Sequence, residues 1–105
     1  MSLLKIECGK WSAIHDFIPP LPARLSVSGE CHAPTPGYEI TLEKAVPQGI
    51  NPSILILTKT VTPPTGVEPQ HPTTEKVSYY EKTNEHYTEV TIVPDNVTIK
   101  VQEVS

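Results

Sequence analysis

"TEVTIVPDNVTIKVQEV", residues 88–104, decides the fold. Val90 and Ile92 alternate with Thr91 and Val93, and Val97, Ile99 and Val101 alternate with Thr98, Lys100 and Gln102. A period of two puts successive side chains on opposite faces of an extended strand, one toward a core and one toward water. Between the two runs, Pro94 presets φ near roughly −65°, and Asp95 and Asn96 tolerate turn geometry and bond their own backbone. The stretch reads as a β-hairpin.

The same pattern continues outward. "GYEITLEK" (37–44) sends Tyr38, Ile40 and Leu42 one way and Glu39, Thr41 and Glu43 the other. "SILILTKTV" (53–61) is apolar on both faces over Ile54 to Leu57, as a central strand with both sides covered would be. "KVSYYE" (76–81) sets Val77 and Tyr79 against Ser78 and Tyr80. "ARLSVSGEC" (23–31) aligns Leu25, Val27 and Cys31, and "SLLKIEC" (2–8) aligns Leu4, Ile6 and Cys8. No amphipathic helix of three turns is legible; "WSAIHDF" has room for one turn before Pro19 and Pro20 end it. The expected architecture is an all-β, immunoglobulin-like or fibronectin-III-like sandwich of about seven antiparallel strands, one domain spanning residues 1–105.

Composition agrees with a folded chain: 105 residues, 37 % hydrophobic and 19 % charged, enough for one core. The 12 prolines, more than twice the roughly 5 % average, cluster between the strands, where a missing N–H costs little. A net charge of −4 with only 8 scattered Lys and Arg argues against nucleic-acid binding, which draws on cations against phosphate, and against an electrostatic membrane anchor. No run approaches the roughly 20 apolar residues of a membrane span, and the N-terminal stretch lacks the apolar core of a signal peptide. The default expectation is a cytoplasmic protein.

Residues 36–45, "PGYEITLEKA", followed by "ILILTKTVTPPTG" (54–66) and "QHPTT" (70–74), resemble small bacterial immunoglobulin-like domains, including the C-terminal domain of PrcB-type protease-complex-stabilising proteins. In that pattern a Gly–Tyr strand opening precedes an apolar strand, a Pro/Gly bend and a further proline. This chain has Pro36 where a doubled glycine is expected and Thr73 rather than an aromatic after Pro72. The resemblance implies a fold class, not a function.

"GECHAPTPGYEI" (29–40) places Cys31 beside His32 at a proline bend. With Cys8 and Cys31 each ending a strand, antiparallel pairing would separate them by about 20 Å, whereas a disulfide needs Cα atoms within about 7 Å. A parallel arrangement or shifted register would restore a bridge; the expectation is two half-buried thiols, suited to a reducing compartment. Cys31, His32, His71 and His86 are the alternative site, a small metal-dependent or thiol enzyme. None of the chain's histidines and cysteines has the C-x-x-C, H-x-x-x-H or H-x-H spacing that fixes two ligands locally. No nucleophile elbow, phosphate loop or zinc-protease motif occurs, so no cofactor and no enzymatic activity are expected.

The leading expectation is a non-enzymatic protein-binding or assembly module. Its contacts would come from the loop "TPPTGVEPQHPTT" (62–74), with Val67, Gln70 and His71, from the 32–37 bend with His32, and from "KWSAIHDFIPPLP" (10–22), with Trp11 and Phe17. The last segment reads first as a plug over the core edge, with an apolar recognition surface as the alternative. Tyr80 and Tyr87 read first as cross-strand aromatic packing that steadies the sheet, with an outer contact patch as the alternative. Self-association through an edge strand, the terminal "NVTIKVQEV" with its outward Lys100, is the third reading.

Overall fold

The computed structural model describes residues 6–66 and 71–105. Val67 and Gln70, two of the expected loop contacts, lie outside the described residues. The described residues form seven strands and no helix: β1 (Glu7–Asp16), β2 (Arg24–Ala33), β3 (Glu39–Lys44), β4 (Ile54–Thr62), β5 (Thr73–Lys82), β6 (Glu89–Val93) and β7 (Val97–Val104). They are hydrogen-bonded into one sheet in the order β3-β4-β6-β7-β1-β2-β5.

β7 makes the sheet turn on itself. Its first half pairs antiparallel with β6, from Ile92↔Val97 to Glu89↔Lys100. Its second half pairs parallel with β1, from Ala13↔Val101 to Asp16↔Val104. The two terminal strands of the order, β3 and β5, come round to face each other, and Lys44 reaches Glu81 across the seam at 3.6 Å. The result is a nearly closed barrel. It corrects two expectations. The strands are not all antiparallel, because β1–β7 and β4–β6 run parallel. The C-terminal strand does not end the strand order, because β6 pairs with its first half and β1 with its second.

Period-two alternation fills the interior. Leu25, Val27 and Cys31 of β2, Leu55 and Leu57 of β4, and Val90 and Ile92 of β6 are fully buried. Ile54 and Ile56, on the outer face of β4, are only half-buried, which accounts for the doubly apolar reading of that strand.

β1 differs most from expectation. It begins at Glu7 and continues through Asp16, across the segment read as a plug. Gly9 pairs with Glu30 and Ser12 with Ser28, so Lys10 and Trp11 together oppose Gly29 in a β-bulge. Lys10 takes the left-handed conformation, φ 55°. The extra residue shifts the alternation by one: Cys8 faces inward before the bulge, and Trp11, Ala13 and His15 after it. Gly29 makes room for Trp11, since a Cβ there would lie 2.3 Å from the indole Cε3.

This register also corrects the cysteine reading. Cys8 stands at the start of β1, not at the end of a strand, so an antiparallel partner brings it directly opposite Cys31. The two are joined in a disulfide.

Candidate functional site

The strand directions sort the expected site residues to the two ends of the barrel. One end carries the start of β1, the bend after β2, the loop between β4 and β5, and the β6–β7 turn. There the stems of the proline-rich loop flank the bend: Ala33 pairs with Thr73, and Glu39 with Thr62. His32 is exposed and lies 3.3 Å from the Thr74 hydroxyl, and His71 is also exposed.

Below that surface lies a polar cluster that sequence reasoning missed. Lys59 follows Leu55 and Leu57 on the inward side of β4, and its side chain is only 5 % exposed. Its ammonium donates to Asp95 Oδ2 at 2.7 Å and lies 3.3 Å from Cys8 Sγ. It bridges the layers where β1, before its bulge, no longer pairs with β7. The signal available in the sequence was a lysine in phase with the buried leucines.

The opposite end is formed by the 45–53 connection, the 83–88 connection and the ends of β1 and β7. His15 is fully buried, and its Nε2 donates to the Thr83 carbonyl at 2.7 Å, while Nδ1 has no partner. Phe17 stacks between His15 and His86, with ring centroids 4.1 and 4.7 Å away. His86 also pairs with Glu103 at 2.7 Å. Tyr87 is buried in the core rather than outside beside Tyr80, and its hydroxyl accepts from Lys44 at 3.4 Å. Tyr80 is exposed and Tyr79 turns inward, as alternation predicts. Trp11 packs against the core with its indole nitrogen buried, so it contributes mainly to the interior.

A cleft of 610 Å³ lies between Pro52–Ser53 and Thr83–His86. A second of 310 Å³ shares Pro52 and Glu85 and adds Lys44, Gln48 and Tyr87. An apolar groove of 230 Å³ follows, lined by Ile50, Ile54, Ile56 and Thr91. Gln48 fixes the connection that separates these hollows. Its amide nitrogen donates to the Ala45 and Ile56 carbonyls at 2.7 and 2.9 Å, and its oxygen accepts from the Ile56 N–H at 2.9 Å. The side chain thereby stands in for one more residue of backbone pairing beside β4. On either side of it, Val46 is 93 % exposed and Ile50 fully exposed. The burial and hydrogen-bond facts that single out this connection were not legible from "PQGINP" alone.

Protein families, curated proteins and solved structures show no match to this chain. The geometry must therefore speak for itself. Cys31 and His86 sit at opposite ends of strands about 30 Å long, and the Cys31 sulfur is buried in a disulfide. The structure thus does not bring together the Cys31, His32, His71 and His86 of the enzymatic alternative. Among the described residues, no three His, Cys, Asp or Glu side chains converge as a metal site would require. No helix among them is long and apolar enough to cross a membrane.

Proposed function

We propose that the chain is a non-enzymatic protein-binding module, with its principal contact surface on the 45–53 connection. One observation carries this reading: Val46 and Ile50 are held in water on a connection whose shape is set by three hydrogen bonds from Gln48. Exposed aliphatic side chains on a pre-ordered backbone lose little entropy when a partner covers them. The adjoining apolar groove between Ile50 and Ile56 would receive a side chain in return. The partner this surface fits is a protein offering an apolar hollow, not a polyanion.

The scaffold is read as a variant of the immunoglobulin-like sandwich. β1, β2 and β5 supply one layer and β3, β4 and β6 the other, with β7 shared; the chain crosses between layers after β2, after β4 and again after β5. That arrangement supports the resemblance of residues 36–74 to small bacterial immunoglobulin-like domains. The proline-rich loop and bend at the other end form the secondary contact surface.

The test is affinity capture from native lysate with the intact chain, a Val46→Asp/Ile50→Asp variant, and a variant with residues 65–71 replaced by a Gly–Ser link. All three are expected to melt alike. Capture lost in the first variant supports the 45–53 surface. Capture lost only in the second moves the site to the opposite end, and capture unchanged in both overturns the assignment.

A further inference from the structure

The binding surface leaves the cluster around Cys8 unexplained. A lysine is costly to bury, and an aliphatic residue after Leu55 and Leu57 would have extended the core. Lys59 instead aims its ammonium at Asp95 and at Cys8 Sγ, 3.3 Å away. A disulfide sulfur is a weak acceptor, whereas a thiolate in the same place is a strong one. The site is thus better matched to the reduced Cys8 than to the bonded one.

The two sulfurs are not equivalent. Cys31 is fully buried and Cys8 half-buried, so an incoming thiol meets Cys8. Glu75, paired with Cys31 and half-buried on the same side of β5 as Val77, disfavours negative charge on Cys31. Lys59 and Asp95 are the charged groups facing Cys8 from β4 and the β6–β7 turn. The Lys10–Glu30 pair, 3.5 Å apart, lies on the outer face.

We propose that Cys8–Cys31 is a redox-active disulfide that exchanges with dithiols, and that Lys59 holds the released Cys8 sulfur as a thiolate. One thiolate of the reductant attacks Cys8 Sγ; the S–S bond breaks, and Cys31 leaves and takes a proton. The reductant's second thiolate then attacks its own sulfur in the mixed disulfide, closing the reductant's disulfide and freeing Cys8 beside Lys59. Two electrons pass from the dithiol to the protein. Reduction also unstaples Glu7–Gly9, which pair with β2 alone, since β7 joins β1 only from Ala13 onward.

The experiment uses the purified oxidised chain, equilibrated in dithiothreitol redox buffers, with iodoacetamide labelling of each cysteine followed against pH in the reduced form. Cys8 is expected to label at lower pH than Cys31. In Lys59→Met that gap closes, and the disulfide needs a roughly tenfold more reducing buffer to open, the worth of one charge-assisted hydrogen bond. Asp95→Asn, which frees Lys59 from its competing anion, moves both readouts the opposite way. A purely structural role for Lys59 would not give opposite signs. The two cysteines labelling together, or neither variant moving the exchange equilibrium, overturns the proposal. Should Lys59→Met fail to fold, the direction of the Asp95→Asn shift decides alone.

Discussion

Gly29 and Trp11 form a matched pair, because the indole occupies the space a side chain at 29 would need. Gly29→Ala must displace the ring and is expected to cost about 1–3 kcal/mol, the usual range for overpacking, in a urea melt. Lys10, opposite the same glycine, holds a left-handed φ that costs a non-glycine residue about 1–2 kcal/mol. Lys10→Gly is expected to be neutral or slightly stabilising, because the strain relieved exceeds the roughly 0.5–1 kcal/mol of added chain entropy. Lys10→Val, β-branched at the same φ, should destabilise. These residues explain why the first strand was misread. "CGKW" shifts the inward phase by one, so neither Trp11 nor His15 continues the pattern set by Cys8, and Cys8 falls at the start of its strand rather than at the end.

Five of the other strands are legible because each alternates an inward and an outward face without interruption, and β4 is legible from its unbroken apolar run over Ile54 to Leu57. The connections are not, since their shape rests on individual hydrogen bonds such as those of Gln48. Gln48→Ala removes all three and takes the Gln48 acceptor from the Ile56 N–H, while the Ile56 carbonyl keeps the Ala45 N–H; a loss of about 1–3 kcal/mol and faster hydrogen exchange at the Ile56 amide are expected. The β3–β5 seam is also held by side chains. Burial, then the hydrogen bond donated to Glu81 at 2.6 Å, pushes the Tyr79 phenol up. The hydrogen bond to Tyr87, with the Glu81 carboxylate nearby, raises Lys44 despite its partial burial. Both groups hold their protons more tightly in the folded chain than in the unfolded one, so stability falls as pH rises. The contribution is complete below about pH 10, where the unfolded groups are still protonated, and is lost as pH climbs through the higher folded values. Urea melts at increasing alkaline pH should show wild type losing stability faster than Tyr79→Phe; equal slopes would remove Tyr79 from the seam's pH response.

At the scale of the whole molecule, the barrel depends on closures that alternation cannot reveal. Period two tells which side chains face inward, not which strand lies beside which, so the parallel β4–β6 and β1–β7 pairings were invisible in the sequence. Where those ladders stop, Lys59 ties β4 to the β6–β7 turn through Asp95 and to β1 through Cys8 Sγ. Asp95→Ala leaves a buried ammonium without its anion and should cost about 3 kcal/mol, much of which Lys59→Met in the same chain would restore. The covalent tie between Cys8 and Cys31 reports the β1–β2 register on which the bulge, the barrel closure and the redox proposal all depend. Peptide mapping of the folded chain, purified in air without reductant, tests that register most directly. The fold described here predicts a linked pair of peptides carrying Cys8 and Cys31, with neither cysteine open to alkylation. Two freely alkylated cysteines in a folded, air-exposed chain would contradict it.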